Sequence, residues 1–140
     1  MQFYKLLPFL MLFSYSATAE LDKDFFVQKC YDNAIKIVNK DFDSYINDFH
    51  PNAKATEKSK KYLKKMFLKK AARYDEPIKT ADYERTLFLL IDEKEKNFLF
   101  DIEKKVQVEI GFLNIRTGSS HFLCDYGLDT DTKKWYKTNI

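Results

Sequence analysis

The sequence predicts an α+β fold in which N-terminal helices pack on a C-terminal antiparallel β-meander of four to five strands. Three observations predict it. Apolar residues between positions 22 and 74 recur at helical spacing. From about residue 85 the period falls from 3.6 towards two, the period of a strand. Turn-forming residues then separate the runs at short intervals, and sequential strands with short connections pair antiparallel.

The chain has 140 residues, one domain's worth of sequence. With 45% hydrophobic and 32% charged residues it is not collagen-like, disordered or a multi-pass membrane protein. There is too little chain for a two-domain enzyme with two cores. Three Gly and three Pro leave little room for a Gly-rich phosphate loop or a long linker.

Residues 1–19 read as a cleavable signal peptide. Lys5 supplies the early positive charge, an apolar run follows over 6–13, and Ala17-Thr18-Ala19 makes an A-x-A cleavage site. The run is roughly 8 residues long, whereas a spanning helix needs about 20. An N-terminal core helix is the alternative. No Cys stands at the cleavage point, so a lipoprotein is not expected. Residues 20–140 then form a single exported α+β domain, and the periplasm is the expected compartment. Without Lys5, 23 cations face 21 acids, a net charge of +2. That balance singles out no partner.

Residues 22–39 predict the first helix. Val27, Cys30, Tyr31, Ala34 and Val38 share one face, widened by Phe26 and Ile37. Asp22 or Asp24 serves its N-terminus. Phe42, Tyr45, Ile46 and Phe49 predict a short second helix, ended by Pro51. Asp41, Asp43 and Asp48 read as its polar face rather than as a carboxylate cluster. Residues 56–74 predict a basic amphipathic helix. Tyr62, Leu63, Met66, Phe67 and Ala71 form its apolar stripe. Lys58, Lys60, Lys61, Lys64, Lys65, Lys69, Lys70 and Arg73 face one acid, Glu57. The lysines are either a solvated face or a surface for anionic lipid, peptidoglycan polymer or an acidic protein. Export makes nucleic acid a poor candidate.

The segment 75–77, Asp-Glu-Pro, breaks the helical pattern. Residues 85–91 and 97–102 then predict a hairpin with the charged segment 92–96 at its turn. A helix over 80–93 is the alternative. Val106, Val108, Ile110 and Phe112 alternate with polar residues, a half-buried strand. Thr117-Gly118-Ser119 signals a turn. Phe122, Cys124 and Tyr126 alternate in the next strand, 128–132 is a polar turn, and 134–138 is a final strand with Trp135 and Tyr136.

The two cysteines, Cys30 and Cys124, fit an oxidising compartment as a disulfide. Such a bond closes a loop of roughly 90 residues and contributes roughly 4–5 kcal/mol in the chain-entropy model. The rival reading is a Cys nucleophile with His50 or His121, but neither flank looks like a nucleophile elbow. HExxH, paired CxxC, GxSxG and Walker motifs are all missing from the sequence. Two distant His make a zinc site improbable. Asp129-Thr130-Asp131 resembles the opening of a calcium loop without its downstream Gly and Glu. No metal, no cofactor and no catalytic residue is therefore expected, and no carboxylate pair stands out for glycoside hydrolysis.

The loop 116–121 combines Arg116, a flexible turn, Ser119, Ser120 and His121. It is either an ordinary turn or a recognition loop, which would set Arg116 or His121 between the catalytic carboxylates of a muramidase. With Lys60, Lys61 and Lys64 on the basic helix, these are the candidate partner-binding residues.

The layout resembles that of periplasmic bacteriocin immunity proteins, those protecting against colicin M and pesticin. The points of similarity are the signal ending Ala17-Thr18-Ala19, the Cys30-bearing first segment, the late Cys124-Asp125-Tyr126 strand and the small mature size. The resemblance implies a non-enzymatic protein whose partner is an incoming protein toxin. It carries over no functional residue. Two other classes remain in view: an envelope-binding module using the helix over 58–73, with transient membrane-surface contact, and a small exported hydrolase.

Overall fold

The computed structural model describes residues 21–74, 87–91, 93–114 and 118–140, with backbone alone at 112–114 and 118–120. The expected signal peptide, Arg116 and residues 80–86 of the alternative helix lie outside the described residues. Among the described residues, three α-helices precede a five-stranded antiparallel sheet, as the α+β reading requires.

Helix α1 spans Lys23–Val38. The Asp22 carboxylate accepts the Phe25 N–H at 3.1 Å and so caps its first turn. Asp24 near the start and Lys36 near the end complement the helix dipole. The buried residues are Phe26, Cys30, Asn33, Ala34 and Ile37. The buried stripe is therefore rotated from the expected one, leaving Val27, Tyr31 and Val38 half-buried on its flank. The helix ends in a Schellman motif. The Asp41 N–H donates to the Lys36 carbonyl at 2.8 Å and the Lys40 N–H to the Ile37 carbonyl at 3.0 Å. Lys40 takes φ 57°, a left-handed conformation unusual for a residue with a Cβ.

The expected second helix is one turn of α-helix, α2 at Phe42–Tyr45, continued by a 3-10 turn at Ile46–Asp48. Its acids do separate work. Asp41 caps α2, Asp48 pairs with Lys29 at 3.1 Å and Lys36 at 3.5 Å, and Asp43 is exposed. After His50 a second 3-10 turn, Pro51–Lys54, leads into α3 at Glu57–Ala71. Thr56 and Ser59 close a capping box at its start, and Leu63, Phe67 and Ala71 are buried.

Strand β1, Leu87–Ile91, pairs with β3, Asp101–Asn114, from Leu87 opposite Glu109 to Ile91 opposite Lys105. This corrects the expected hairpin. The partner of 87–91 is 105–109, not 97–102, and the helix alternative fails for the described residues 87–91. The supposed turn includes a short strand, β2 at Glu95–Lys96, which pairs with the start of β3. Residues 97–100 are a bend. Strand β4, Gly118–Asp129, pairs along nearly all of β3, and β5, Trp135–Lys137, pairs with β4. Ser119 and Ser120, expected in a turn, belong to β4 opposite Leu113 and Phe112.

The helices cover one face of the sheet, where Val106, Val108, Ile110, Phe122, Cys124 and Tyr126 are buried. Cys30 on α1 is bonded to Cys124 on β4. Such a disulfide suits an oxidising, exported environment. Phe26 packs on Tyr126 and Trp135, with ring centroids 5.6 and 4.9 Å away. Phe67 of α3 packs on Phe42 and Tyr45 at 5.4 and 5.0 Å. Leu87, Leu89 and Leu123 are exposed on the other sheet face. No helix among the described residues is long and apolar enough to cross a membrane.

Candidate functional site

The bend between β2 and β3 carries Phe98, whose ring is 95% exposed. A phenylalanine left in water forgoes roughly 1.5–3 kcal/mol of burial. The residues around it hold it there. The Asn97 side-chain oxygen accepts the Leu99 N–H at 3.1 Å. Asn52, from the 3-10 turn before α3, donates its amide to the Leu99 carbonyl at 2.6 Å. Phe100, the next residue, stacks on His50 with centroids 4.6 Å apart. The Asp101 carbonyl accepts both the N–H and the hydroxyl of Thr130, at 2.9 and 3.0 Å.

His50 is the hub of that brace. It is buried, stacked on Phe100 and met edge-on by Tyr136 at 4.7 Å. Its Nδ1 accepts the Asn52 N–H at 3.1 Å, so the ring proton sits on Nε2, 3.5 Å from Asp129 Oδ2. The Asp129 carboxylate also accepts the Thr132 hydroxyl at 2.6 Å and the backbone N–H groups of Asp131 and Thr132. Burial pushes the Asp129 carboxyl up. The hydrogen bonds from Thr132 and Asp131 outweigh that and hold it below the ordinary carboxylate range. His50 Nδ1 and both oxygens of Asp129 thus hydrogen-bond within the local structure. The calcium-like run at 129–131 has the same explanation, since its first carboxylate caps the β4–β5 turn. Among the described residues, no group of three or more His, Cys, Asp or Glu is arranged to hold a metal ion.

Beside the bend lies a shallow cleft of about 450 Å³, walled by His50, Asn52, Phe98 and Phe100 and edged by Asp101 and Asp131. Both acids on this edge are exposed.

The residues singled out from sequence fall in three places. Cys30 and Cys124 form the disulfide. Lys60, Lys61 and Lys64 lie on α3 in the helical layer. Lys60 pairs with Glu57 at 3.0 Å, Lys64 Nζ sits 5.8 Å from the Phe42 ring, and Lys61 points outward. His121 is on the opposite face of the sheet, its Nδ1 2.8 Å from Glu109 Oε1. The structure therefore does not bring His121 together with the lysines. It also places His121 at the far end of the β3–β4 hairpin from Phe98. Of the loop 116–121, Arg116 lies outside the described residues and Ser119 and Ser120 are described as backbone in β4.

Sequence reasoning missed Phe98, His50 and Asp129 as one unit. Phe98, Leu99 and Phe100 read as a strand because all three are apolar. The only signal against it is Asn97, a residue that favours turns. Compared with protein-family models, curated proteins and solved structures, the chain matches none.

Proposed function

We propose that this chain is a periplasmic immunity protein that binds and neutralises a cell-wall-directed bacteriocin, with a pesticin-type muramidase as the first toxin to test. On this reading the chain is not an enzyme. The observation that carries it is Phe98, fully exposed on a bend braced from Asn52, His50 and Thr130. Aromatic side chains are enriched among the anchors of protein interfaces. An anchor held in its binding geometry loses little conformational freedom on docking. The partner this predicts has an apolar pocket of phenylalanine size with cations beside it, facing Asp101 and Asp131.

The test is calorimetric titration of the exported protein with purified pesticin-type and colicin M-type toxins, run beside a survival assay. The expected result is saturable binding of one toxin that persists in high salt, with protection of sensitive cells. Phe98→Ala then weakens binding by at least ~30-fold, the loss of one interface hot spot, while Tm stays put because the residue is 95% exposed. Absence of binding and protection with both toxins rejects the reading. Binding that Phe98→Ala leaves unchanged moves the interface elsewhere.

A further inference from the structure

The outward face of α3 is a ridge of lysines. At about 100° per residue, Lys58, Lys61, Lys65 and Lys69 fall within an arc of roughly 80°, directly opposite the buried Leu63, Phe67 and Ala71. All four are exposed, and no acid among the described residues pairs with them. Tyr62 and Leu68 flank the ridge, 61% and 46% exposed. Between them runs a shallow groove of about 560 Å³ lined by Lys58, Lys61, Tyr62, Lys64, Lys65 and Leu68. The capping box at Thr56 and the packing of Phe67 hold the helix rigid beneath this face.

We propose that this face docks the protein on an anionic lipid surface. The chemistry of the cations selects that partner. Every one on the ridge is lysine, a compact and strongly hydrated charge that is depleted at protein–protein interfaces. A structured acidic protein is better read by the planar fork of arginine. A headgroup layer is hydrated, laterally fluid and needs no fixed geometry. Tyr62 suits the boundary between headgroups and acyl chains, where amphipathic rings collect. Leu68 and the methylene stems of the lysines supply apolar contact on either side of the charge. The lysines occupy the crest and the apolar residues its shoulders, so docking is electrostatic and shallow. This inference does not rest on the toxin reading, since α3 and Phe98 are separate surfaces.

The experiment is sedimentation of the exported protein with vesicles of phosphatidylglycerol and phosphatidylcholine, against phosphatidylcholine alone. The expected result is binding to the anionic vesicles only, lost as salt is raised. Replacing Lys58, Lys61, Lys65 and Lys69 together by Gln lowers partitioning by at least ~100-fold, since each lysine near an anionic surface contributes severalfold. Replacing the exposed Lys23, Lys94, Lys96 and Lys134 instead, with the same change in net charge, leaves most of the binding. Tyr62→Ser with Leu68→Ser weakens it severalfold at unchanged charge. Equal loss in the two lysine sets overturns the proposal, because net charge would then explain the binding. So does binding to soluble dextran sulfate as tight as to vesicles and insensitive to Tyr62 and Leu68, which would make the partner a wall polymer.

Discussion

Lys137 of β5 stands directly opposite Tyr126 of β4, and its ammonium is buried 5.6 Å from the Tyr126 ring and 5.8 Å from that of Tyr45. Among the described residues the ammonium donates to the side-chain oxygen of Asn139, at 2.9 Å. Burial is the main cause that lowers its pKa, to about 7. The charge of Lys70 adds to it, and Asp125 and Asp48 oppose it.

This position makes stability depend on pH. In the unfolded chain the lysine titrates near 10.4. Between pH 7 and that value the unfolded state binds a proton that the folded state does not, so stability rises with pH across this window. Below pH 7 both states are charged and the burial cost is fully felt. Lys137→Met removes the charge and leaves Asn139 Oδ1 with its bond from the Asp125 N–H at 2.9 Å. At neutral pH and below the variant should be more stable by on the order of 3–5 kcal/mol. Its urea unfolding should also lose the rise with pH. Above pH 10 parent and variant should both weaken, since burial holds the Tyr45 and Tyr126 hydroxyls protonated in the fold alone. A parent flat between pH 7 and 10 would contradict the assignment.

The Cys30–Cys124 bond ties α1 to the inner face of β4, and both sulfurs are buried. The Cys30→Ala, Cys124→Ala double variant should lose roughly 4–5 kcal/mol by the loop-entropy estimate. The measurement is equilibrium denaturation of the variant against the oxidised parent. A loss under about 1 kcal/mol would mean that the denatured chain is already compact around this pair.

Lys40 holds the left-handed position of the α1 Schellman motif, where glycine is the usual residue. Its side chain is exposed at this helix end. Lys40→Gly should relieve the Cβ clash and stabilise by about 0.5–1 kcal/mol, seen as a rise in Tm. Lys40→Val should move Tm the other way, because β-branching tolerates positive φ least.

Periodicity revealed the elements that bury a regular face. Helices α1 and α3 and strands β3 and β4 lie where the 3.6 and 2.0 periods put them. What it could not show was the work of individual apolar letters. In 98–102, Phe98 faces solvent, Phe100 stacks on a histidine 50 positions earlier and Ile102 enters the core. The pattern alone makes one strand of the three, because it records hydrophobicity and not the long-range partner. Tyr62 falls in the apolar stripe of α3 by spacing for the same reason, although it is 61% exposed beside the lysine ridge. Lys137 shows the converse. Its alternation with Trp135 puts it on the inner face, against the rule that lysine is exposed. The candidate site was the least legible part, since His50, Asn52, Asp129 and Phe98 come together only through tertiary pairing.

Asp129 tests whether that assembly acts as a unit. Its carboxylate accepts from the Thr132 hydroxyl and from two backbone N–H groups and lies 3.5 Å from His50 Nε2, and an amide in its place has one acceptor oxygen and a donor facing donors. Asp129→Asn should cost about 1–3 kcal/mol, the range for losing charge-assisted hydrogen bonds in a buried place. The sign with pH follows from the lowered carboxyl. The contribution is complete above the unfolded value near 3.9 and disappears as pH falls through the folded one. Parent and variant should therefore differ at pH 7 and converge in acid. The His50–Phe100 stack should loosen with the loss, so limited proteolysis at 97–100 should quicken in the variant before global unfolding does. If the bend keeps its resistance while Tm falls, Asp129 serves the β4–β5 turn alone, and Phe98 owes its exposed pose to Asn52 and Asn97.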